Sequence, residues 1–162
     1  MTWREAFLKQ AASDNAVRKV LNDAQVAYAH RLHYLQMVTE KLGKGLTTRE
    51  GDSDPPPMVH AALVKMLQSL KASPNLRRRL GYRDSAVFRS FINSLLDLAG
   101  RIESLAPAMA GWSQPNAEYP WLDQASGGVI APVDFQFPMF DPRNPKMIQM
   151  EALLAKLLQL VE

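Results

Sequence analysis

Cysteine is absent from all 162 residues, which excludes disulfides, thiolate metal sites and a cysteine nucleophile. No apolar run approaches the ~20 residues that span a bilayer. The amino end, "MTWREAFLKQAASD", is amphipathic and charged and lacks the apolar stretch of a secretory signal. These absences predict a soluble, cytoplasmic protein without membrane association. There is also no G-x-S-x-G elbow, no Walker loop and no G-x-G-x-x-G fingerprint, so hydrolase, kinase and dehydrogenase readings lack a motif. No cofactor is expected. Histidine is scarce, at three residues, which limits the general acids and bases available near neutrality.

What is present is a globular composition. Apolar residues make up 47% and charged residues 22%, enough to build a core in a single domain of this length. The net charge of +3 is unevenly spread. Residues 1–106 carry 16 Lys and Arg against 10 Asp and Glu, whereas residues 107–162 carry 3 against 6. The basic excess therefore belongs to the first two-thirds, and a solvated surface accounts for most of it.

Helical periodicity dominates. "TWRE" reads as a capping box, with Thr2 and Glu5 exchanging hydrogen bonds. Trp3, Phe7, Leu8, Ala11, Ala12, Val17, Val20 and Leu21 then continue as an apolar stripe. After a break at "NDAQ", a second helix is expected from Gln25 to Leu46, with Gly43 and Gly45 suited to a close helix crossing. "TTREGDSDPPP" is a loop ending in polyproline. A third helix is expected from Val59 to Ala72, and "PNLRRRLGY" reads as a short helical turn. Asp84 or Ser85 caps a long fourth helix, carrying Phe88, Phe91, Ile92, Leu95, Ala99 and Ile102, which Pro107 ends. Asn144 and Pro145 start the last helix in the favoured order.

Residues 107–142 have no helical period. Seven of the eleven prolines fall between 107 and 145, and Trp112, Tyr119, Trp121, Phe135, Phe137 and Phe140 lie in the same region. "VDFQF" alternates like a short strand and "SGG" signals a turn. So many aromatics are unfavourable in water, so the segment is expected to strap the bundle, with Trp121 and one of Phe135 or Phe137 buried.

Two groups of residues carry candidate chemistry. His33, Gln36, Glu40 and Lys44 share one helix face, and Glu40 with Lys44 is a favourable i, i+4 pair. Glutamine is a poor metal ligand, so a metal is not expected here; a solvated or packing face, bonded to a neighbouring helix or a partner chain, is. His60 follows the proline run and can pack or position the loop; His30 completes the census. "LRRRLGYRDSAVFR" is the densest basic cluster. Arg77, Arg78, Arg79, Arg83 and Arg89 suit phosphate contacts, and Tyr82 is placed to stack on a base. Three adjacent arginines on a helix also point in different directions, which is the pattern of a solvated connection.

Further residues form a pattern. Leu8, Ala11 and Asp14 match L-x-x-A-x-x-D. Gln36, Glu40, Lys41 and Lys44 match Q-x-x-x-E-K-x-x-K, and His60 stands near the start of the third helix. Over residues 5–72 the chain resembles the HEPN domains (higher eukaryotes and prokaryotes nucleotide-binding). The resemblance implies an all-α, HEPN-like bundle of four to five main helices that commonly dimerises. Many relatives are metal-independent ribonucleases in toxin–antitoxin or anti-phage defence systems, often with a nucleotidyltransferase partner.

Their signature, an Arg followed after four to six residues by a His, is missing. Residues 23–25, 26–28 and 53–55 precede the three histidines at that spacing, and none is Arg. Cleavage through a 2′-OH needs a proton acceptor and a charge for the phosphate, so ribonuclease activity does not carry over by motif. The expected arrangement is a bundle over 1–106, an irregular strap over 107–142 and a final helix over 143–162, in one domain. The expected function is non-catalytic binding or scaffolding, as a homodimer or with a protein encoded nearby. RNA, a nucleotide or a protein is the ligand, with Arg77, Arg78, Arg79, Tyr82, Arg83 and His60 as contact residues. A divergent ribonuclease and a purely structural interaction module are the alternatives.

Overall fold

The computed structural model describes residues 1–57 and 60–161. Well over half of these are helical: α1 (Trp3–Asp23), α2 (Tyr28–Thr47), α3 (Ala62–Lys71), α4 (Pro74–Arg79), α5 (Ser85–Glu103), α6 (Pro107–Ala110) and α7 (Pro145–Gln159). The sheet is minor, an antiparallel pair of β1 (Trp121–Leu122) and β2 (Val129–Ile130). This is an all-α fold. Among the described residues, no helix is long and apolar enough to cross a membrane.

Local chemistry sets most helix starts. Thr2 and Glu5 form the capping box of α1. The Asp84 carboxylate accepts from the backbone N–H of Ala86 and Val87 at 2.7 and 2.9 Å, which caps α5 and holds its pKa below the usual range. Ser73 and Asn144 cap α4 and α7, each followed by proline. Helix α3 has no such cap of its own. Its expected start at Val59 lies outside the described residues, and the remaining boundaries shift by a few residues, as helix ends do.

Helices α1, α2, α3, α5 and α7 form a closed ring, each packed on the next and α7 returning to α1. Leu32, Leu35, Leu42, Leu63, Met66, Phe88, Ile92, Leu95, Met150 and Leu157 fill its centre. The α1 stripe is shallower than expected: Ala11 is buried, but Trp3, Val17 and Val20 are exposed. Small residues govern this contact. A Cβ at Gly45 would stand 2.5 Å from the Leu8 side chain, and one at Gly43 would stand 2.6 Å from the Ala62 carbonyl oxygen.

The second approach is to backbone and has no flexible neighbour to yield. Gly43→Val should destabilise the protein by about 1–3 kcal/mol through overpacking of α2 against α3. A urea midpoint equal to that of the parent would contradict this close crossing.

The strap adopts a form different from the expected one. Helix α5 stops at Glu103, and Pro107 opens α6 rather than ending α5. "VDFQF" is not a strand: Pro132–Asp134 and Pro138–Phe140 are 3-10 turns. The pairing instead joins Trp121 to Ile130 and Leu122 to Val129, with Gly127 in the turn between them. Alternation across this hairpin buries Trp121 and exposes Leu122 and Val129. Phe137 and Phe140 are buried and Phe135 is half-buried, whereas Trp112 is 77% exposed and Tyr119 is also exposed. A single-layer strap meets the bundle on one side only, so it cannot cover every aromatic it carries.

Candidate functional site

Residues four apart on α2 lie above one another on the side facing α1 and the start of α3. Gln36 and Lys44 are buried there, with Glu40 between them. One oxygen of Glu40 accepts from Gln36 Nε2 at 2.9 Å and lies 2.6 Å from His60 Nδ1. The other accepts from Lys44 Nζ at 2.6 Å. An ionised carboxylate only accepts, so His60 carries the proton on Nδ1 in this pair. Burial pushes the Glu40 carboxyl up, but hydrogen bonds from Lys44, Gln36 and His60 outweigh it and hold the pKa below the usual value. Lys44 also lies 5.7 Å above the Phe7 ring of α1.

Lys41, on the adjoining edge of α2, pairs with the buried Asp14 of α1, which also accepts from Gln10 at 2.9 Å. The residues of the sequence pattern therefore fall in two groups along α2, Asp14 with Lys41 and Glu40 with Gln36, Lys44 and His60. Asp14, Gln36, Glu40, Lys41, Lys44 and His60 form a polar seam joining α1, α2 and the approach to α3.

Sequence reasoning missed one member. Glu103 is buried at the end of α5 and accepts from the backbone N–H of Val64 at 2.9 Å, supplying the cap that α3 lacks. Burial raises its pKa, the backbone N–H groups of Val64 and Leu63 oppose this, and the nearby Glu40 charge raises it further. Its signal was available: Glu103 follows Ala99 by four residues and so falls on the apolar stripe of α5, where an ionisable residue is out of place.

The other candidates separate. His33 does not join Glu40; its Nδ1 lies 3.2 Å from Glu118 of the strap, at ion-pair distance but not aligned as a hydrogen bond. His30 is exposed. Among the described residues, no group of three or more His, Asp or Glu is placed to hold a metal.

The arginines gather around α4 and the start of α5. Arg77 donates to the Arg83 carbonyl, and Arg79 donates to the Leu160 carbonyl at 3.1 Å, just past the end of α7. Arg78, Arg83 and Arg89 are exposed. None of these five has a carboxylate within ion-pair distance among the described residues. Tyr82, half-buried, turns its ring against the protein. Its ring stacks on Phe91 at 5.3 Å and leans on Phe88 at 4.9 Å, so it belongs to the hydrophobic packing between α4 and α5.

Chemically, the seam stabilises buried charge and orients one imidazole, while the arginine cap presents guanidinium groups to solvent, with the Asp84 carboxyl near enough to feel the charges of Arg77 and Arg89. Compared with known proteins, the chain matches no family model, no curated protein and no solved structure.

Proposed function

We propose that the chain is a non-catalytic, HEPN-like binding and scaffold protein that takes RNA at its arginine cap. It works as a homodimer or with a protein encoded nearby. The observation that carries this reading is the set of exposed guanidinium groups at Arg78, Arg83 and Arg89, with Arg77 and Arg79 beside them and, among the described residues, no carboxylate within ion-pair distance of any of the five. Guanidinium groups of this kind bind phosphate through paired N–H donors. With Tyr82 held in the packing, recognition falls to the RNA backbone rather than to stacked bases, so binding is tolerant of sequence.

The affinity for single-stranded RNA should therefore fall with salt, by about 0.7 log units per log unit of salt for each phosphate neutralised. Mobility shifts at several salt concentrations check this. The double variant Arg83→Glu, Arg89→Glu should abolish binding without changing the circular dichroism spectrum. RNA left unbound at low salt would move a protein ligand to first place.

One feature favours a divergent ribonuclease as the second reading. Glu40 holds the Nδ1–H of His60, whose side chain is 36% exposed, and this is how a carboxylate orients an imidazole base. RNA cleavage that His60→Ala abolishes while leaving RNA binding intact would replace the binding reading with this one.

A further inference from the structure

The cleft between α1, the first turns of α2 and the first turns of α7 holds more positive charge than its own carboxylate neutralises. Arg18 of α1 and Arg31 of α2 both line it, together with Tyr28, Leu35, Ile148 and Glu151, around a volume of about 430 Å³. Glu151 is engaged by Arg18. Arg31 has no carboxylate within ion-pair distance among the described residues. The Nε atoms of both arginines are buried without a hydrogen-bond partner, an unfavourable state for a charged donor.

Arg31 is held in place. Its guanidinium lies 4.8 Å over the Tyr28 ring, and the Tyr28 hydroxyl donates to the Phe140 carbonyl of the strap. Burial pushes the Tyr28 pKa up to about 12, so that hydroxyl stays neutral and adds no negative charge. Arg31 also borders the adjoining, wider opening. The other arginine there, Arg143, is paired with Asp141 through contacts of 2.7 and 3.0 Å. That opening also holds Asp134, so its two arginines and two carboxylates balance, and the surplus lies in the narrower cleft, where it falls to Arg31.

We propose that this cleft is a binding site for a small monocarboxylate on a compact apolar body, with Arg31 as its anion anchor. Two arginines against one glutamate leave a single positive charge, which matches a monoanion; a dianion would meet repulsion from Glu151 and Asp141. The planar guanidinium suits the two oxygens of a carboxylate. Leu32, Leu35, Met147 and Ile148 supply apolar wall for the body of the ligand. The volume lies within the ~300–1,000 Å³ usual for small-molecule sites. The cleft shares no residue with the arginine cap, so this proposal is independent of RNA binding.

Benzoate titrated into the intact protein, followed by calorimetry and by amide chemical shifts around residues 18, 31 and 148, is the test. Saturable binding is expected, with benzamide, the neutral analogue, bound at least about tenfold more weakly and phenyl phosphate weaker than benzoate. Arg31→Met keeps the aliphatic stem and should reduce benzoate affinity about tenfold or more. If Arg31→Met does not fold, the comparison of benzoate with benzamide on the parent protein decides. Absence of saturable benzoate binding, equal binding of benzamide, or full affinity in a folded Arg31→Met would overturn the proposal. Tighter binding of phenyl phosphate than of benzoate would overturn the assignment to a monocarboxylate.

Discussion

Trp121→Ala should lower the free energy of unfolding by about 3–5 kcal/mol, the range for truncating a large core aromatic. Trp121 is only 3% exposed and anchors a chain of rings. It meets Phe135 edge-on at 5.2 Å, Phe135 meets Phe137 at 4.9 Å, and Phe137 continues to Phe140 at 6.4 Å. Phe137 sits in this chain at φ 48°, in the left-handed region, which costs a non-glycine residue roughly 1–2 kcal/mol. Packing of its fully buried ring outweighs that strain, so Phe137→Gly would relax the backbone and still destabilise. The strap is also tied through Ala117 to the Leu105 carbonyl at 3.1 Å, and through Phe140 to Tyr28. Urea denaturation measures the Trp121 effect, and limited proteolysis locates it. The parent should resist cutting between residues 112 and 140, and the variant should be cut there first. Rapid cutting of the parent throughout that segment would show an undocked arm and favour protein binding through the strap.

The second large effect is expected at Glu40. Glu40→Ala removes the acceptor for Lys44, Gln36 and His60 at once. The Lys44 side chain, about 10% exposed, is then left as a buried charge without its partner, and breaking such a pair typically costs about 3–5 kcal/mol. Removing the charge as well should restore much of this: the double variant Glu40→Met, Lys44→Met should be markedly more stable than Glu40→Ala. An additive double variant would show that the pair is not coupled.

The pH dependence has a definite sign. The folded pKa of Glu40 is lowered from 4.5, so its contribution is complete above pH 4.5 and is lost as the pH falls through the folded value. The stability gap between the parent and Glu40→Gln should therefore narrow as the pH falls below 4.5. Glu103 acts in the opposite sense. Its pKa is raised, so the protonated form favours the fold, and its contribution declines as the pH rises through the folded value. A gap that stayed constant as the pH fell well below 4.5 would contradict the assignment to Glu40.

The amino-acid sequence by itself determined the main helices and four of their starts. Thr2, Ser73, Asp84 and Asn144 act through backbone groups two or three residues away, and a 3.6-residue period is written along one chain. It also placed Gln36, Glu40 and Lys44 on one face, because that relation needs only helix geometry. Gly43 and Gly45 were legible as close-crossing positions for the same reason, though not which partners crossed them. Tertiary structure alone decided where those faces pointed. His60 reaches Glu40 across a twenty-residue separation, whereas His33 turns to Glu118. Glu103 caps a helix thirty-nine residues away from it. Tyr82 was read as a ring placed to stack on a base, and the fold packs it on Phe91. In the strap, the β pairing fell at Trp121 and Ile130 rather than in "VDFQF", since a two-residue ladder is too short for sequence alternation to specify. Arg31 carried no sequence signal at all. Its surplus charge exists because Glu151, on a distant helix, pairs with Arg18 instead, and burial and charge balance are properties of the assembled bundle rather than of any one segment.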